Sequence, residues 1–159
     1  MNDKEAILAM LSRMPDSEWL AMEERELAKF ERSGSTETLA LEVDGESRPV
    51  VLLTVRGAKS GQQRRVALMR VEADGSYALV ASKGGSLKAP AWYYNLIANP
   101  VVQLQDQTTI RSYRAREVTE RERELWWKRA VEVHPDFEHY AARTQRIIPV
   151  VVLEPANGG

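Results

Sequence analysis

Val50-Val51-Leu52-Leu53-Thr54-Val55 and Val66-Ala67-Leu68-Met69-Arg70-Val71 enclose Arg56-Gly57-Ala58-Lys59-Ser60-Gly61-Gln62-Gln63-Arg64-Arg65. The flanking runs have the length and aliphatic character of strands. Between them two glycines open backbone conformations closed to other residues, and Arg56, Lys59, Arg64 and Arg65 add positive charge. Two readings stand. In one, a polar hairpin turn carries solvated charges. In the other, backbone N–H groups and cationic side chains converge on a phosphate or carboxylate. The spacing is not that of a Walker P-loop, and no helix follows the loop.

Outward from this stretch the period of two persists. Upstream, Thr38–Val43 alternates, Asp44-Gly45 is a hairpin signal, and Pro49–Val55 is the expected return strand. Downstream, a strand near 65–72 meets a second turn at Asp74-Gly75, then Tyr77–Ala81. These four strands predict an antiparallel meander, hence a small barrel or sandwich rather than a doubly wound parallel sheet. Val101–Gln105 and Thr109–Ala115 predict another hairpin around Asp106-Gln107, and Ile147–Leu153 a last strand, with Pro149 pointing to an edge or a bulge. Helices are expected over 4–13, Glu18–Arg32, 91–99, 119–131 and 136–143, with Thr119 and Glu122 as a capping box and Asp136 as a cap. Glu154-Pro155 and the residues after it read as a frayed tail.

Composition bounds the function. A chain of 159 residues with 43% hydrophobic and 28% charged residues suits one domain. A net charge of −1 argues against bulk nucleic-acid binding. The absence of cysteine removes disulfides, thiolate ligands and a cysteine nucleophile, and His134 and His139 do not share a helical face, so no metal site is expected. No apolar run reaches the roughly 20 residues that span a bilayer, and a cytoplasmic location is the expectation.

A second glycine-rich basic loop, Ser82-Lys83-Gly84-Gly85-Ser86-Leu87-Lys88-Ala89-Pro90, leads into the helix Ala91–Asn99, whose N-terminus favours an anion. Two such loops beside strand ends suit an elongated, multiply anionic ligand. Trp92, Tyr93, Tyr94, Trp126, Trp127, Phe137 and Tyr140 could supply a flat apolar slot for a ring system. Neither a serine–histidine–acid arrangement nor a paired-carboxylate pattern is evident. The chemistry therefore falls to a nucleotide-like redox cofactor.

The runs Leu53–Gly61, Arg64-Arg65, Ala81–Gly85, Pro90–Pro100 and Ile148–Pro155, in that order, resemble the deazaflavin-dependent nitroreductase family. The resemblance covers about residues 50–155. It implies an α+β, mainly β fold: a split β-barrel of about six to seven mostly antiparallel strands with N-terminal and peripheral helices. Within one domain overall, residues 1–36 are expected to form an N-terminal helical segment and 37–155 the barrel.

The resemblance further implies coenzyme F420, with hydride transfer from its reduced form to a quinone, activated enone or nitroaromatic. Ala58, Lys59, Ser60, Arg64, Arg65 and Val66 would hold the tail and phosphate. Val80, Ala81, Ser82 and Lys83, with Ala91, Trp92, Tyr93, Tyr94 and Asn95, would line the ring and ribityl chain. His134, Phe137 and Tyr140 stand where nitroimidazole-activating members place tyrosines, so they are the expected substrate contacts, and quinone or enone reduction is favoured. Ser82, Tyr140 and His134 are the candidate catalytic residues. Ser82 is expected to hydrogen-bond the ring. His134 reads as an exposed helix-end residue with a titration range suited to a proton donor. An FMN-dependent split-barrel enzyme and a non-catalytic cofactor or lipophilic-ligand binder are the alternatives. The expected assembly is a monomer or homodimer, with peripheral membrane association as a further option.

Overall fold

The computed structural model describes residues 10, 13–39, 41–43, 46–85 and 88–156. A helix, α1 (Asp16–Ser33), ends at Gly34, whose left-handed backbone (φ 71°) lets its N–H reach the Phe30 carbonyl. A short 3-10 turn (Thr36–Leu39) follows. The chain continues as β1 (Leu41–Val43), β2 (Glu46–Arg48), β3 (Val50–Arg56), β4 (Gln63–Met69), β5 (Glu72–Ala73) and β6 (Ser76–Val80). Then come α2 (Ala91–Ala98), β7 (Val101–Asp106), β8 (Thr109–Val118), α3 (Glu120–Val133), α4 (Asp136–Ala142) and β9 (Val150–Pro155).

Seven strands form one antiparallel sheet in the order β4-β3-β7-β8-β9-β6-β5. Its edge strands β4 and β5 are consecutive in the chain. The sheet thus curls towards closure as a split barrel, and the predicted fold class holds. Alternation along each strand sorts the core. Val51, Leu53 and Val55 face inward with Leu79, Leu104 and Leu153, and α2 adds Trp92 and Leu96 to that interior. The outer face is covered twice. Phe30 of α1 packs on Val50 and Leu52, and Trp126, Ala130 and Phe137 of α3 and α4 pack on Val80, Val150 and Val152.

Five expectations are corrected. Glu154-Pro155, expected in the frayed tail, ends β9, where the two residues pair with Arg114 and Tyr113 of β8. The predicted meander is not one. Leu41–Val43 pairs with Glu46–Arg48 in a separate two-stranded sheet, so β3 is not its return strand. Pro49, without an N–H, separates β2 from β3, and its carbonyl accepts the Arg70 N–H at 3.0 Å. The strand expected near 65–72 breaks at Arg70-Val71, where the chain passes from one sheet edge to the other. The last strand is interior, between β8 and β6; Pro149 precedes it and accepts the Ala81 N–H at 3.0 Å. The Thr119 capping box does not form, because the Arg116 guanidinium takes both Glu122 oxygens at 2.7 and 2.5 Å.

The Asp74-Gly75 turn appears with positive φ at both residues (53° and 83°), as a type I′ hairpin requires. The Asp44-Gly45 turn, the Ser86-Leu87 part of the second loop, nearly all of the helix expected over 4–13, and 157–159 of the tail lie outside the described residues.

Candidate active site

The basic hairpin loop is built by its own backbone. Gly57 N–H donates to the Gln62 carbonyl at 2.8 Å and Gly61 N–H to the Gly57 carbonyl at 3.0 Å, with Gly61 left-handed at φ 71°. A Cβ on Gly57 would stand 2.6 Å from Ser60 Oγ, so the loop closes on itself there. The helix α2 then fixes it from outside. Asn95 Oδ1 accepts the Ala58 N–H at 2.9 Å, and Asn99 Nδ2 donates to the Arg56 carbonyl at 3.3 Å. Lys59, Ser60 and Arg64 stay exposed.

Alternation divides the two arginines. Val66 lies in the barrel interior, and Arg64, two residues away, takes that side of β4. Arg65 takes the other side, where its guanidinium pairs with Glu31 of α1 and lies 5.7 Å from the Phe30 ring centroid. The structure therefore does not bring Arg64 and Arg65 together.

The second loop leaves β6 as a buried turn. Ala81 and Ser82 are buried, and Lys83 has φ 45°. Gly85 N–H donates to the Ser82 carbonyl at 2.9 Å. A Cβ on Gly85 would stand 2.5 Å from the Tyr140 carbonyl, so α4 packs directly against this loop. From α1, Glu23 approaches Lys83: burial raises the Glu23 carboxyl and the Lys83 charge opposes that rise. Arg146, from the connection between α4 and β9, donates through Nη2 to the Ala81 carbonyl at 3.1 Å and the Ser82 carbonyl at 2.8 Å. The sequence reading passed over Arg146. Its one signal is a cation directly before Ile147-Ile148-Pro149.

Of the expected ring-lining residues, Val80, Ala81 and Trp92 are core residues, as is Val66 of the loop set. They shape the wall from behind. Tyr94 and Ala91 are exposed on α2. Tyr93 is half-buried, edge-on to Tyr94 at 5.2 Å, and its hydroxyl donates to Glu117. Burial, then the Glu117 carboxylate, push the Tyr93 phenol up to about 12.

The α3–α4 corner gathers the expected substrate contacts. His134 is 4% exposed, which overturns its reading as an exposed helix-end residue. It ends α3, its N–H bonding the Ala130 carbonyl, and α4 folds back over it. Phe137 stands edge-on to its ring at 4.9 Å, and His134 Nε2 lies 3.4 Å from the Tyr140 hydroxyl. Phe137 and Tyr140 are 6.1 Å apart, and Trp127, beside Phe137 at 6.2 Å, is the half-buried member of the tryptophan pair. Asp136 makes no side-chain cap bond to α4. Among the described residues no cluster of metal-ligating side chains occurs, and no helix is long and apolar enough to cross a membrane.

The split barrel thus carries a cationic hairpin, a buried glycine-bearing turn and an aromatic corner. A sequence model of the F420H(2)-dependent quinone reductase family matches residues 23–155, and the chain belongs to that family. It is 36% identical over 108 residues to an F420H(2)-dependent quinone reductase of Mycobacterium tuberculosis, covering 66% of this chain and 72% of the relative. A solved F420-H2 dependent reductase superposes with a TM-score of 0.64 at 53% identity, covering 67% of this chain and 95% of its own. A solved domain-swapped dimer gives 0.66 at 43% identity, covering 88% and 100%. The match begins at residue 23, so most of α1 belongs to the family fold, whereas the motif resemblance began near residue 50.

Proposed function

We propose that this protein transfers a hydride from reduced F420 to a quinone. The observation that carries the reading is the joint built by α2 and the loops. Asn95 ties the cationic hairpin to α2, and the Tyr140 backbone packs on the Gly85 loop, contacts that support assigning the rim, the buried turn and the aromatic corner to one site.

The residues fit the cofactor. An acidic tail needs exposed cations on a fixed backbone, and Lys59 and Arg64 on the self-closing hairpin supply them, with the Ala58 and Ser60 segment as backbone support. Arg65, paired with Glu31 on the α1 side, reaches the tail only when that pair opens. Ser82 and Lys83, with Ala91, Tyr93, Tyr94 and Asn95, border the ring position, backed by the buried Val80, Ala81 and Trp92. When bound, reduced F420 supplies the hydride. Phe137 and Tyr140 present an apolar and a hydroxyl-bearing face to the quinone. Hydride transfer leaves a singly charged hydroquinone anion, and one proton completes the hydroquinone. The Tyr140 hydroxyl delivers a proton with the His134 imidazole behind it, and Ser82 holds a ring edge by hydrogen bonding. FMN is the less favoured cofactor, and enones and nitroaromatics are the secondary substrates. The protein works in the cytoplasm as a monomer or homodimer, with membrane association confined to peripheral contact.

The test is anaerobic mixing of purified protein and reduced F420 with a benzoquinone, an enone and a nitroaromatic, following reappearance of oxidised F420. Turnover is expected with the quinone. Tight F420 binding with no oxidation by any acceptor would instead establish a binding protein, and turnover only after FMN loading would establish the flavoprotein alternative.

A further inference from the structure

Arg146 sits in a connection with no regular structure, yet it reaches two successive peptide carbonyls of the turn that ends β6. Its own N–H bonds Thr144 Oγ1 at 3.3 Å, which fixes the start of its side chain. Burial pulls the guanidinium below its ordinary range, and the nearby Tyr94 phenol opposes that. An arginine remains charged under such a pull, so a cation is held against the back of the Ala81–Ser82 turn.

The direction of the peptide groups gives this cation a consequence. In a trans peptide the N–H points opposite to its C=O. With the Ala81 carbonyl turned to Arg146, the Ser82 N–H points away from it. A cation on the carbonyl side also polarises that donor, because hydrogen-bonded groups in a low-dielectric setting strengthen one another. Gly85 N–H shares the Ser82 carbonyl with Arg146, and Tyr140, packed on Gly85, presses on the same turn.

We propose that Arg146 is a positioning residue for hydride transfer: by holding the Ala81 and Ser82 carbonyls it sets the Ser82 N–H towards the redox ring. This role rests on the reductase reading above. Arg146 touches neither ring nor quinone; it sets the turn that does.

The test compares wild type with Arg146→Gln, Arg146→Ala and Arg146→Lys. Three readouts are taken: melting temperature, F420 affinity by tryptophan quenching, and turnover of reduced F420 with a benzoquinone. Gln and Ala variants are expected to lose about tenfold or more in kcat while cofactor Kd moves less than about threefold. The Lys variant is expected to fall between them and wild type. Millimolar guanidinium is expected to restore part of the Ala variant's kcat, and equal sodium chloride none, which a purely structural role would not produce. A Gln variant with wild-type kcat overturns the role, as does an Ala variant that guanidinium does not rescue. If Gln and Ala variants do not fold, Arg146→Lys decides: lowered kcat at unchanged melting temperature supports the role, and lowered melting temperature at unchanged kcat overturns it. A wild type that oxidises no reduced F420 sinks the reductase reading and this role with it, whereas an active wild type matched by its variants sinks the role alone.

Discussion

The two glycine-bearing loops are held in opposite ways. The hairpin at 57–62 closes through its own backbone bonds and leaves Lys59 and Arg64 in solvent. The turn at 82–85 is buried and is held by partners far along the chain, Arg146 and the backbone of Tyr140. One loop is made locally and spends its side chains on a ligand. The other is made by tertiary contacts and spends its backbone on position. Substitutions in the two should therefore fail differently, the second through stability and rate, the first through affinity alone.

The largest effect is expected at Gly85. Its φ of 80° disfavours any side chain, and a Cβ would come within 2.5 Å of backbone at Tyr140, which cannot swing aside as a side chain tip could. Gly85→Ala is expected to cost about 3 kcal/mol or more, seen as a fall in urea midpoint. An unchanged midpoint would mean that α4 does not press on this turn.

Next comes the opposite case. Lys59→Ala combined with Arg64→Ala is expected to raise the F420 dissociation constant tenfold or more, about 1.4 kcal/mol, with the melting temperature unmoved because both side chains are exposed. Tryptophan quenching at two salt concentrations checks it. Wild-type affinity in the double variant would remove the hairpin from the cofactor site.

Much of this contrast was legible in the sequence, and its limits are physical. Turn chemistry is local, so Asp74-Gly75, Asp106-Gln107 and the Gly57–Gly61 loop could be read from neighbouring residues. Pairing is not local. Nothing near Val50 says that β3 lies beside β7, and nothing near Val150 says that β9 lies between β8 and β6. His134 looked exposed because it ends a helix before a proline; its burial depends on α4 folding back over it, a matter of packing rather than of composition. Arg146 was overlooked because its partners are carbonyls 64 and 65 positions away, and backbone carbonyls leave no mark in a sequence.

Beside the hairpin lies α2, and Asn95 ties the two together. Asn95→Ala removes the acceptor of the Ala58 N–H. Ala58 is exposed, so water replaces much of that bond, and a loss of about 1 kcal/mol is expected in thermal unfolding. Cofactor affinity should fall with it, because the cationic hairpin loses its anchor. Lost stability with unchanged affinity would show that the hairpin needs no help from α2.

Alkaline titration reaches the same helix from Tyr93. Its folded-state phenol is raised to about 12, by burial first and by Glu117 second, above an ordinary value near 10. The folded chain thus keeps its proton where the unfolded chain has lost it. The stability this contributes is full below about pH 10 and is lost as pH rises through about 12. Melting temperature is expected to decline over that window, and Tyr93→Phe to flatten part of the decline. Tyr77 and Tyr113, whose phenols burial also raises, contribute to the remainder. An identical decline in the Phe variant would place the Tyr93 hydroxyl in solvent.

The smallest effect separates the two arginines of β4. Glu31 pairs with Arg65 at an exposed position on α1, and such pairs contribute little, about 0.5 kcal/mol at most. Glu31→Gln is therefore expected to leave stability almost untouched. Its information lies in affinity. If Arg65 serves chiefly to bind α1, F420 binding in the variant equals wild type. If the freed guanidinium swings to the acidic tail, binding tightens. Among the described residues Arg64 has no such ion-pair partner, so a tightening on Glu31→Gln that vanishes on adding Arg65→Ala would show that α1 holds back a cation the cofactor can use.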